Sequence, residues 1–398
     1  MGRLTAPARL PLQNGTTATL LNEPHAVGED PTTVLSELYA PSVTAKLWSV
    51  AQQTLQIDTS PPILFPEYTH PGGSKYVYRD RKFWTSGFFP GSLYLLLERQ
   101  NLHDNAHLAA THDVGFMTMP WARPAWELRR DARALETLRA AAHTLHGRCS
   151  AAVGAIRSWD SCVTRAYSFR DPASEFLLII DNMVNLSLLF YVAARTGDVA
   201  MRDAAVRHAR TTRRTHVRAD GTTAHLVVLD PESGAVRQAL TNQGRHHGSC
   251  WSRGQAWAVA GFAEAWGWTG EDEFLQTAIL CADVFLERMP EGDDAVPPWD
   301  FEPAPAGAED KDGARREEKD KKNEVEPTDT SAAMIASYGF LLIYEALKLR
   351  RGAHAQKYLD AALRITSAVC KGYLTPRAEF VPQGGTPIPW PGAWLSGR

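Results

Sequence analysis

The sequence predicts an all-α protein, a closed toroid of inner and outer helices. Helical periodicity runs through most of the 398 residues, with apolar positions recurring at i, i+3, i+4 and i+7. The helices are of two kinds. One is nearly free of charge and must be buried on every side; the other carries a charged stripe and lies at a surface. The kinds alternate through short links. Polar heads of the uncharged kind recur at Asp181, Trp251 and Asp329, roughly 70–80 residues apart, the scale of a repeated helix hairpin plus a loop.

In chain order, residues 1–31 read as a poorly ordered extension; their start, MGRLTAPARLPLQNG, lacks the apolar core of a secretory signal. Helical spacing is predicted at roughly 32–56, 86–100, 124–146, 174–196, 199–216, 252–269, 271–288, 329–350 and 354–371. Uncharged bodies with Trp, Gly, Asp or Ser/Thr heads are Trp84–Leu97, Asp181–Ala194, Trp251–Trp266 and Asp329–Leu342. Amphipathic charged helices are Asp198–Thr211 and Glu271–Arg288. One segment, Ala224–Leu229, reads as a strand, followed by a Pro-Glu-Ser-Gly turn. Residues 303–327 read as a charged insertion within a single helical domain spanning 32–372. Fourteen of the eighteen residues Glu309–Glu326 are charged, with both signs mixed, the pattern of a solvated loop. The tail 373–398 is rich in Pro and Gly and shows no helical spacing.

Composition narrows the function classes. With 44% hydrophobic and 22% charged residues the chain is an ordinary globular protein. A formal net charge of −3 gives no pull toward nucleic acid or an anionic membrane. No uninterrupted apolar run approaches the ~20 residues that cross a bilayer. Cys149, Cys162, Cys250, Cys281 and Cys370 are odd in number, widely spaced and without CxxC. That argues against a structural zinc site or a disulfide framework and for reduced thiols in a cytoplasmic protein. The 12 Trp are numerous beside 11 Tyr and 14 Phe; indole faces stack on sugar rings as well as fill cores.

Two aspartates stand in informative settings. Asp181 ends the run Leu177-Leu178-Ile179-Ile180 and opens an uncharged helix. Desolvation there raises a carboxyl pKa and lets it hold a proton near neutrality; the competing role is an N-cap. Asp113 lies in Thr111-His112-Asp113-Val114-Gly115-Phe116-Met117, a turn at an element boundary where a cap or turn role competes equally. Two convergent carboxylates are what glycosidic chemistry needs. Trp251, Arg253, Gln255 and Trp257 share the first turns of one helix. An Arg there suits an anionic ligand, or a structural ion pair with Asp113 or Asp181. His225 is a candidate donor to substrate. Gln243-Gly244-Arg245-His246-His247 has no carboxylate or thiolate at ligand spacing, so no metal is expected.

THDVGFM, IIDNMVN, the His225 strand with its turn, NQG followed by WSRGQAW, and DTSAAMIASYGFL occur in this order. Together they resemble the unsaturated glucuronyl hydrolases, glycoside hydrolase family 88, from about Lys75 to Gly372. Family 105, the unsaturated rhamnogalacturonyl hydrolases, is the next resemblance, and a catalytically inactive carbohydrate-binding relative is the alternative outside enzymes. The resemblance implies an (α/α)6 toroid that removes 4,5-unsaturated uronic acid from lyase-generated oligosaccharides, with no metal or organic cofactor. It places the proton donor on Asp181 and the second essential carboxylate on Asp113. It places substrate contacts on Trp84, His112, Trp159, His225, Gln243, Arg253 and Trp257. The chain departs from the pattern in three places. Asn242 stands where the family often has histidine, the space before Thr111 is short of an outer helix, and the C-terminus lacks the family's closing elements.

Overall fold

The computed structural model describes residues 35, 38, 40–57, 63–69, 76–96, 103–164, 166–292, 296–302, 327–350 and 354–374. The expected extension 1–31, nearly all of the charged insertion 303–327 and the tail from residue 375 lie outside the described residues. The helices are α1 (Pro41–Ile57), α2 (Phe88–Leu96), α3 (Val114–Arg129), α4 (Ala132–His146), α5 (Asn182–Thr196), α6 (Val199–His216), α7 (Ser252–Thr269), α8 (Asp272–Glu287), α9 (Thr330–Leu349) and α10 (Ala355–Tyr373).

Packing sorts them as the charge pattern predicts. The nearly uncharged α2, α5, α7 and α9, together with α3, which carries Arg123, Glu127 and Arg129, pack in succession, each against the next. The outer α4, α6, α8 and α10 each lie on the inner helix that precedes them in sequence. Outer α4 and α6 start on aspartate caps: the Asp131 side chain accepts from the Arg133 and Ala134 N–H groups, and that of Asp198 from the Met201 N–H. Inner α5 stops at Gly197, whose φ of 76° suits a residue without Cβ. One core cluster runs from Val114 on α3 to Ala368 on α10.

Several boundaries differ from the sequence reading. The helix expected at 124–146 is two helices. Arg130 takes a left-handed conformation (φ 58°) and Asp131 caps α4, so the inner helix begins at Val114 and Asp113 sits at its head. After a hairpin of β1 (Leu64–Thr69) and β2 (Tyr76–Asp80), the first part of the segment expected as helix at 174–196 is strand β3 (Phe176–Ile179). It pairs antiparallel with β4 (Leu226–Leu229), Phe176 opposite Leu229, and β4 pairs with β5 (Val236–Leu240). Phe176 and Leu178 face one apolar cluster while Leu177 and Ile179 face another. Burial on both faces removes the alternation by which a strand is recognised.

Between α2 and α3 the described residues hold only a 3₁₀ turn, His103–His107, where the toroid pattern has an outer helix. Helix α9 is long and apolar enough to cross a membrane by length and composition; it lies along α7 and α10 as an inner helix. All five cysteines are free thiols.

Candidate active site

The heads of the inner helices converge at one mouth. Asp181 occupies the N-cap position of α5, yet its side chain makes no capping bond. Its Oδ1 is shut off from solvent with no hydrogen-bond partner. Burial pushes the carboxyl pKa up to about 7, the nearby Asp113 charge adds to the rise, and Arg253 works against it. A cap that does not cap, left dry and holding a proton near neutrality, fits an acid and not a structural role.

Asp113 likewise heads α3 without capping it. Its Oδ2 accepts from the Thr111 hydroxyl at 2.6 Å, and its Oδ1 lies 3.2 Å from His112 Nε2. His112 is buried, and burial lowers its pKa, so the ring is neutral. Nδ1 faces the Ser158 carbonyl at 3.1 Å and must carry the hydrogen. Nε2 is in direct contact with the Asp113 carboxylate, whose charge works against the effect of burial on the ring. Ser158 also links strand and helix: its Oγ accepts from the Ile179 N–H at 3.0 Å.

Aromatic rings line the mouth. Trp84, Phe116 and Trp257 form a chain, with centroids 5.6 and 5.1 Å apart. Trp159 lies 6.3 Å from His112, held where its backbone bridges Thr111. His225 precedes β4; its Nδ1 accepts from the Asn242 N–H at 3.0 Å, and its ring packs 4.7 Å from Trp251. Asn242 thus braces His225 through its backbone. Arg253 stacks over Trp251 at 5.0 Å and donates to Gln243 Oε1 at 3.1 Å. Its ion pair is with Asp329, at 3.6 Å, and not with either of the carboxylates weighed from the sequence.

All nine residues singled out from the sequence therefore border this one mouth. Phe116, Ser158, Trp251, Asp329 and Ser331 were not singled out as site residues. Trp251 and Asp329 stood in recognised helix heads, whereas Ser158 had no signal because its partners are 21 and 46 residues distant. Among the described residues, no group of three or more His, Cys, Asp or Glu is placed to hold a metal ion.

No family model matches the chain. An unsaturated glucuronyl hydrolase from Bacillus sp. (strain GL1) is 32% identical over 330 residues, covering 78% of this chain and 79% of that protein. The crystal structure of the Bacillus sp. GL1 unsaturated glucuronyl hydrolase, described as responsible for the degradation of glycosaminoglycan, superposes with a TM-score of 0.67 at 30% identity, covering 83% of this chain and 84% of that one. The structure of an unsaturated glucuronyl hydrolase specific for heparin superposes with a TM-score of 0.68 at 27% identity, over 89% of this chain and 87% of that one. Order of motifs, ring of helices and sequence identity agree, and the chain belongs to the unsaturated glucuronyl hydrolases, glycoside hydrolases of the (α/α)6 toroid fold.

Proposed function

We propose that this protein removes the 4,5-unsaturated uronic acid from the non-reducing end of glycosaminoglycan fragments by hydrating its vinyl ether, with Asp181 as general acid and base. The observation that carries the reading is the uncapped carboxyl of Asp181, one of whose oxygens is shut off from solvent without a partner, with its pKa pushed up to about 7. The substrate class rests on the relatives, which are named for glycosaminoglycan degradation and for heparin.

C4 of the unsaturated sugar is the nucleophilic end of an enol ether. Asp181 gives it a proton, and positive charge develops at C5 and the ring oxygen. The carboxylate of Asp113 stabilises that charge at short range. Water then adds to C5 while the now anionic Asp181 takes its proton, which returns the acid to its starting state. The hemiketal at C5 opens to a ketone, and the hemiacetal this leaves at C1 sheds the glycan. Arg253 binds the uronate carboxylate, and Trp159 and Trp257 act as stacking walls for the sugar. His112, His225 and Gln243 contact hydroxyl groups, and Trp84 supports Trp257 through Phe116.

The test monitors the ultraviolet absorbance of the conjugated double bond in unsaturated chondroitin, heparin and pectin disaccharides. Absorbance should fall with wild-type protein on the glycosaminoglycan disaccharides, and Asp181→Asn should abolish the fall. Constant absorbance with folded wild-type protein would remove the reading, and turnover of the pectin disaccharide alone would move the substrate to the unsaturated rhamnogalacturonyl class.

A further inference from the structure

Arg253 must keep its charge beside Asp181 at an open mouth, and a long flexible side chain loses substantial rotamer freedom in doing so. Four contacts hold it. Nη2 donates to Gln243 Oε1 at 3.1 Å, Nη1 donates to Ser331 Oγ at 2.9 Å, Nη1 lies 3.6 Å from Asp329 Oδ2, and the guanidinium rests on the Trp251 ring. Ser331 in turn donates to Asp329 Oδ1 at 2.6 Å. We infer that Asp329 and Ser331 are a positioning pair, through which the head of α9 aligns the substrate-facing cation of α7.

The bland role of Asp329 is an N-cap, and it does cap: Oδ1 accepts from the Ala332 N–H at 2.9 Å. Capping uses Oδ1 alone, however, and Ser, Thr or Asn would serve that purpose as well. Oδ2 is left to face Arg253. Ser331 completes the fork by accepting from the guanidinium while donating to the same carboxylate.

The charged groups facing Asp181 are Arg253 from α7 and Asp113 from the head of α3; His112, beside Asp113, is neutral by burial. The influence of Asp329 on Asp181 therefore passes through Arg253. Arg253 lowers the Asp181 pKa, so releasing it raises that pKa. The catalytic consequence rests on the reading of Asp181 as the acid, but the alignment itself does not.

The experiment titrates the Asp181 carboxyl by infrared difference spectroscopy in the full-length protein, with Asp181→Asn assigning the band. The variants are Asp329→Ser, which keeps a good cap, and Ser331→Ala, which leaves the cap untouched. Both should move the midpoint upward in a protein that still folds, and both should raise KM for an unsaturated chondroitin disaccharide about three- to tenfold, with kcat changed much less, as expected for a weakened charged contact. A midpoint unchanged or lowered in the folded variants overturns the inference and leaves Asp329 a cap. If Asp329→Ser does not fold, Ser331→Ala decides alone. The titration needs no turnover, so a shifted midpoint in a protein without hydrating activity would sink the proposed reaction and keep the alignment.

Discussion

At the scale of single residues, the mouth is organised by the cost of keeping one carboxyl dry. The folded state holds the Asp181 pKa near 7 against an ordinary value of 3.8. The proposed acid must be protonated to act, so kcat/KM should fall as pH rises through about 7, with that alkaline limb read from initial rates against pH. The same shift has a stability consequence of definite sign. Between pH 4 and 7 the native state binds a proton that the unfolded chain has released, so stability declines across that window and the full penalty persists above it. Asp181→Asn should therefore melt higher than wild type at pH 8 while the two converge near pH 4, as measured by calorimetry. A variant that loses activity and gains stability would mark the group as kept for chemistry. The sequence drew attention to this residue because an aspartate closing Leu177-Leu178-Ile179-Ile180 sits beside so much apolar surface, although a cap is the commoner role there. It could not separate acid from cap, since that depends on which way the side chain turns.

At the scale of elements, inner helices approach closely because glycines on one lie against the backbone of the next. On α7, a Cβ at Gly261 would meet the Met183 Cβ at 2.5 Å and the Met183 carbonyl carbon at 3.0 Å on α5. Backbone cannot yield as a flexible side-chain end can, so Gly261→Ala should force the two helices apart. The expected loss is about 1–3 kcal/mol in denaturant unfolding, where a helix-propensity argument alone would forecast a gain of ~1 kcal/mol. The sign of the measured change decides between packing and propensity. Helix identity was legible from charge, because α6 and α8 carry stripes and α5 and α7 do not. Boundaries were less so. The break between α3 and α4 rests on Arg130 in a left-handed turn with Asp131 behind it, and neither residue interrupts helical spacing enough to be seen. Strand β3 was absorbed into a helix because both of its faces are buried.

At the scale of the whole molecule, the ring is built by inner helices that each need a neighbour on either side, and among the described residues the succession stops at α9. Phe340 and Ile343 are fully buried in the continuous core, whereas Met334, Tyr338 and Leu341 on another face of the same helix remain 39%, 47% and 39% exposed. Spacing of i, i+4 and i+7 makes these three one stripe, on a helix whose composition alone reads as buried all round. The uncharged composition of α9 could not show which of its faces is the more exposed. The two faces should respond differently to mutation. Phe340→Ala deletes an aromatic ring packed 5.8 Å from Phe285 and 6.2 Å from Tyr358, and should cost about 3–5 kcal/mol. Leu341→Gln, one residue along, should cost roughly 1 kcal/mol, well below the loss at Phe340, because 39% of Leu341 already stands in water. Chemical denaturation of the two variants beside wild type measures both. A large loss for Leu341→Gln would mean that the stripe is covered in solution and that the ring closes over it.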